Sequence, residues 1–210
     1  MIRGYLIIFL MLIPSCAYVE YGSLPSVIKT AFIGVDDILI DEDYFNSMEY
    51  SFIKVNIGKA GVSVFVLANI VDGKFEWVSA EGERLTTLNG KVIKLSSDPF
   101  SFSFLDLKSW KSSLNDRDND SSFEYMLYLE TPKAFLTQAA RIALIREEEI
   151  ARMGQPLNTM VFEEKIITNS LAWSFENKYW LDQQGMVLKT EQRIHPFLNK
   201  IISIDFYYRY

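Results

Sequence analysis

The stretch Leu85-Thr86-Thr87-Leu88-Asn89-Gly90-Lys91-Val92-Ile93-Lys94-Leu95 decides the fold class. Two short runs rich in aliphatic and β-branched residues flank Asn89-Gly90. A two-residue turn between paired strands needs positive φ at both positions, which Asn and Gly adopt at least cost, so the stretch reads as a β-hairpin.

Working upstream, the period stays at two. Phe75-Glu76-Trp77-Val78-Ser79 is preceded by Val62–Val71, which ends at Asp72-Gly73, and by Ser51–Ile57, which ends at Gly58. Successive runs with glycine at their ends predict an antiparallel meander. Before it, Asp41–Met48 predicts a short helix capped by Asp41, with acids in the first turn matching the helix dipole. Residues 17–35 carry Gly22, Pro25 and Gly34 and read as a tether with one helical turn near Ser26–Phe32.

Downstream, residues 96–122 interrupt the pattern. Their run Asn115-Asp116-Arg117-Asp118-Asn119-Asp120 lacks the glycine and distal glutamate of a calcium loop, so it reads as a solvated turn. Phe123–Leu129 resumes the strand pattern. Residues 134–153 are rich in Ala, Leu and Glu and read as helix by propensity, with Gly154 as the stop, or as a strand over Leu136–Arg146. Val161–Thr168, Ala172–Leu181, Val187–His195 and Lys200–Tyr207 complete an all-β chain. Asp182–Gly185 forms the turn of the last long pair. With no internal repeat, residues 41–210 are expected as a single β-rich domain.

The N-terminus carries a separate message. Arg3 precedes the apolar run Tyr5–Ile13, then Ser15 and Cys16, the only cysteine. A charged start, an apolar core and a small residue before the cut make a signal peptide over residues 1–15. The run is too short for a spanning helix, which needs about 20 residues. A cysteine at this place marks a lipobox, so Cys16 is the expected lipidation site, with residues 16–40 as the lipidated tether. Several acyl chains exceed the two-signal threshold for stable membrane anchoring. Ala17, where Asp would favour inner-membrane retention, points to the outer membrane.

Loss of Arg3 leaves 20 basic and 27 acidic residues, a net charge of −7. That balance argues against nucleic acid and against electrostatic docking on anionic lipid. An acylated Cys16 leaves no thiol for a disulfide or a metal site, and with a single histidine zinc is excluded as well. No cofactor motif appears. His195 has no G-x-S-x-G partner and reads as a turn histidine. Glu147–Glu149 and Glu163-Glu164 offer carboxylates for a glycosidase pair, but adjacent strand residues face opposite sides, and both runs read as solvated edges.

Aromatic residues, 14% of the chain, are the better candidates. Trp77, Trp173, Tyr179 and Trp180 lie on predicted strands, and 179 and 180 must face opposite sides. An outward tryptophan beside Asn177 and Asp182 would stack on a sugar ring while the polar groups bond its hydroxyls. These six residues are the expected glycan- or partner-binding set, against the alternative that the aromatics are packing.

Tyr50–Val55, Phe75–Ser79 and Thr86–Val92, together with Ala172-Trp173-Ser174-Phe175-Glu176-Asn177-Lys178-Tyr179-Trp180-Leu181-Asp182, Gly185 and Lys189-Thr190-Glu191-Gln192, resemble the YjbF/GfcB-type lipoproteins of capsule and exopolysaccharide operons. The similarity spans about residues 40–206, and the late hairpin is its specific part; Thr190 stands where serine is usual. The resemblance implies a partly open β-barrel of meandering strands and favours strand over helix for 134–153. It further implies an outer-membrane anchor, a periplasmic face and an accessory role in making or exporting surface polysaccharide. It carries over no catalytic residue. The expected function is therefore non-enzymatic binding of polymer or of an export-channel protein. The alternatives are a lipid or lipoprotein carrier using an apolar barrel interior, and a glycan-modifying hydrolase.

Overall fold

The computed structural model describes residues 38–58, 61–97, 100–107, 110, 114 and 121–209. The expected signal peptide, Cys16, nearly all of the tether and the polar run 115–120 lie outside them. Helix α1 (Glu42–Ser47) is followed by twelve strands: β1 (Phe52–Ile57), β2 (Val62–Val71), β3 (Lys74–Ser79), β4 (Arg84–Leu88), β5 (Lys91–Ser96), β6 (Phe102–Leu105), β7 (Ser121–Glu130), β8 (Lys133–Arg152), β9 (Gln155–Thr168), β10 (Trp173–Leu181), β11 (Val187–Gln192) and β12 (Ile202–Tyr207). Each strand pairs antiparallel with its neighbours, and β1 closes the ring on β12 with Phe52 opposite Tyr207. The chain is all-β, as expected, and the ring closes where a partly open barrel was expected.

Two sequence readings resolve here. Residues 133–152 form one long strand against helix propensity, because alternate residues Leu136, Gln138, Ala140 and Ile142 are buried while Phe135, Thr137, Ala139 and Arg141 between them are exposed. Propensity is a weak prior that cross-strand burial overrides. The stretch 96–122 does not wholly break the meander: Phe102 is buried and starts β6, whose four residues pair with β7. Asp41 caps α1 as expected, its Oδ1 accepting from Tyr44 N at 2.8 Å.

The β8–β9 hairpin outruns its neighbours. Pairing of β7 with β8 ends at Ile142, whereas β8 and β9 stay paired out to Arg152 and Gln155. This ribbon folds back on the outer wall. Arg152 donates to the carbonyls of Leu188 and Phe206 and stacks its guanidinium 4.4 Å from the Tyr207 ring. Met153 joins Ile40, Tyr44, Phe45, Phe52 and Tyr207 in a second apolar cluster outside the barrel. Ile38 and Ile40, from the end of the expected tether, pack there too, with Lys54 Nζ donating to Ile38 O at 2.8 Å.

The Asn89-Gly90 turn forms as predicted, with φ of 45° and 75°. Its tip reaches across to β11: Gln192 Nε2 donates to Gly90 O at 2.8 Å, and Val92 N donates to Gln192 Oε1 at 3.0 Å. A Cβ at Gly90 would stand 2.5 Å from Val187 Cγ1. Gly90→Ala therefore combines strain at positive φ with overpacking and is expected to cost about 2–3 kcal/mol in urea denaturation. Gly82→Ala, at a φ of 85° with nothing within 4 Å, isolates the backbone part and is expected to cost about 1 kcal/mol.

Candidate functional site

The turn that bends inward carries a charge with it. Lys91, the first residue of β5, is buried in the barrel, and Glu164 from β9 meets it. Lys91 Nζ donates to Glu164 Oε1 at 2.8 Å and to Oε2 at 2.9 Å. The same carboxylate accepts from Tyr125 OH at 2.9 Å, Tyr179 OH at 2.8 Å and Asn177 Nδ2 at 3.0 Å. The third ammonium proton goes to Tyr125 OH at 3.0 Å. The ammonium also lies 4.6–5.1 Å from the ring centroids of Tyr125, Trp110 and Phe104.

Every donor of the lysine and both carboxylate oxygens are used, which is the condition for a buried ion pair to be tolerated. Burial pulls Lys91 below the ordinary lysine value, and the Glu164 charge and hydrogen bond oppose that fall. Burial, and then the Glu164 charge, push the phenols of Tyr125 and Tyr179 well above theirs. Both phenols therefore stay protonated as donors.

Glu164 was expected on a solvated edge with Glu163. Only Glu163 lies toward solvent, paired with Lys165 at 3.4 Å; Glu164 shares its face with Phe162, Ile166 and Thr168. That parity was the available sequence signal. Lys91 had none beyond its own parity with Ile93.

The six expected binding residues do not gather on one surface. Trp77 is buried, its Nε1 donating to Thr87 Oγ1 at 2.9 Å. Tyr179 and Asn177 belong to the buried Glu164 group. Trp180 faces outward as the alternation requires, yet the ribbon and β11 cover it: its Nε1 donates to Glu148 Oε1 at 3.3 Å, and Lys189 Nζ stands 4.6 Å over the ring. Asp182 holds its own turn by accepting from the Gln184 and Met186 amides. Trp173 alone of the tryptophans keeps a partly exposed ring. Among the described residues no three His, Cys, Asp or Glu side chains converge as metal ligands would.

His195 is buried against Phe100, Phe102 and Phe197, its Nδ1 accepting from Phe197 N at 3.2 Å. This desolvation lowers its pKa to about 4.

The model of the family described as group 4 capsule polysaccharide lipoprotein gfcB, YjbF matches residues 26–204. The chain belongs to that family. It is 20% identical over 205 residues to the uncharacterized lipoprotein YjbF of Escherichia coli K12, covering 90% of each chain. The hypothetical lipoprotein YmcC of Escherichia coli K12, a crystal structure, shares the fold of this family member. The two superpose with a TM-score of 0.71 at 14% identity, over 88% of this chain and 93% of the other.

Two stability measurements check this site. Lys91→Met leaves a buried carboxylate without its cation and is expected to cost about 3–5 kcal/mol, against about 2 kcal/mol for Tyr125→Phe, whose hydroxyl bonds both charged groups. For His195, the folded pKa lies below the unfolded one, so the unfolded state binds more protons between them. Its contribution is therefore intact above about pH 6.5 and is lost as pH falls toward about 4. His195→Gln is expected to remove about 2 kcal/mol of that acid dependence, measured as the difference in urea stability between pH 7 and pH 4.

Proposed function

We propose that this family member is a non-enzymatic accessory factor in capsule or exopolysaccharide assembly or export, held by an acylated Cys16 at the periplasmic face of the outer membrane. It would act by binding polymer or an export-channel protein at its outer surfaces. The observation that carries this reading is the filled middle of the barrel. Trp77, Trp110, Phe206 and the Lys91–Glu164 group occupy the space a ligand would need.

The same observation weighs on the rivals. Glu164 is the one buried carboxylate among the described residues, and five hydrogen-bond contacts from its neighbours engage it, so no acid–base pair stands beside it as a hydrolase needs. A carrier needs an apolar tunnel. What the barrel offers is a hollow of about 520 Å³ at the end near the Asn89-Gly90 turn, lined by Leu67, Phe75, Val187 and Tyr208 among others.

The test is a gene deletion complemented in parallel by the wild type and by Cys16→Ser, with surface-polysaccharide staining and membrane flotation. The expected result is less surface polymer in the deletion, restoration by the wild type, and loss of Cys16→Ser from the outer-membrane fraction. Unchanged polymer in the deletion contradicts the role, and a Cys16→Ser protein that still floats with outer membranes contradicts the anchor.

A further inference from the structure

The wall of the barrel parts between β10 and β11. Strand β10 runs from Trp173, but β11 pairs with it only over Lys178–Leu181. The chain leaves β11 at Arg193, whose backbone N–H donates to Asn177 Oδ1 at 2.8 Å. Beyond that bond the loop swings away and leaves Trp173–Glu176 unpaired on that side. A cleft of about 650 Å³ fills the gap, lined by Trp173, Phe175, Glu176, Lys165, Arg193 and Asn199 among others. A smaller hollow of about 250 Å³ continues past Glu176 and Arg193 to Lys178 and Ile201.

The chemistry of the cleft is mixed in a particular way. Trp173 and Phe175 lie 4.1 Å apart at 32° and form a partly exposed apolar floor. The carboxylates around it already meet lysines: Glu176 shares Lys165, at 3.5 Å, with Glu163, and Glu191 meets Lys189 at 3.1 Å. Arg193 has no carboxylate within ion-pair distance among the described residues; its Nη1 donates to the neutral Asn199 Oδ1 at 3.1 Å. A guanidinium fork with donors to spare is suited to bind a carboxylate in bidentate fashion.

We propose that this cleft binds a segment of acidic polysaccharide. The apolar face of a uronic-acid ring lies on Trp173, its carboxylate accepts from Arg193, and the neighbouring sugars continue along the smaller hollow. The proposal rests on the surface-binding reading above and names the polymer, rather than a protein, as the ligand at this place. A neutral glycan would leave Arg193 unmatched. A polypeptide adding a strand to the β10 edge would depend on backbone bonds rather than on the Trp173 ring.

The probe is polygalacturonate, a defined uronic-acid polymer, used native and after chemical reduction of its carboxyl groups to alcohols. Binding is read by affinity electrophoresis and by tryptophan fluorescence of the folded domain. Native polymer is expected to bind, and carboxyl reduction to weaken binding at least tenfold. Trp173→Ala and Arg193→Gln should each weaken it at least tenfold as well, whereas Trp173→Phe retains most of it. Arg193→Gln keeps the backbone bond to Asn177, and unchanged thermal melting confirms that the fold is intact. Equal binding of native and reduced polymer, or unchanged binding by Arg193→Gln and Trp173→Ala, overturns the proposal. Failure of the wild-type domain to bind, in a protein whose deletion does lower surface polymer, overturns this site while leaving the accessory role standing.

Discussion

A charged pair in the middle of a β-barrel constrains everything packed around it. Removing an ammonium and a carboxylate from water costs several kcal/mol for each ion, and the cost is offset only where geometry and further hydrogen bonds are complete. Lys91 and Glu164 meet that condition through two tyrosines, one asparagine and three aromatic faces drawn from different strands and the 106–120 connection. Each of these groups must be in place for the others to be tolerated. The inward bend of the β4–β5 turn follows, since that bend is what delivers Lys91 to Glu164.

The network also reaches the surface. Asn177 donates to Glu164 with its nitrogen and accepts from the Arg193 amide with its oxygen. One side chain thus ties the buried carboxylate to the point where the wall parts and the cleft begins. On the opposite side of β10, the β8–β9 ribbon lies over Trp180 and ends in the apolar cluster shared with α1 and Ile40. The exterior is therefore divided: one face is covered by the protein's own ribbon and N-terminal segment, and another keeps an aromatic and a guanidinium partly open.

Much of the fold was legible in the sequence, because alternation and turn chemistry are local. Asn89-Gly90, Asp72-Gly73 and the cap at Asp41 each mark an element that the structure contains. Residues 133–152 were ambiguous because Ala, Leu and Glu favour helix, and only pairing with β7 and β9 decides for strand. The site was less legible for the same reason. Glu164 beside Glu163 looks like surface charge until Lys91, 73 residues earlier on a strand that does not pair with β9, supplies the cation across the barrel. Alternation sets Tyr179 and Trp180 on opposite faces, but no local rule indicates that a ribbon carrying Glu148 covers the outward one, Trp180. Trp173 was among the candidates, while Arg193, its neighbour in the cleft, was not, because its role depends on where a loop leaves the wall.

The central claim is that Lys91 and Glu164 act as one buried unit that fills the middle of the barrel. A double-mutant cycle with Lys91→Met, Glu164→Gln and the combined variant, followed by urea denaturation, measures it directly. The account predicts strong coupling, about 2 kcal/mol or more, with the double variant more stable than the sum of the two single losses allows. Single losses that simply add would contradict it.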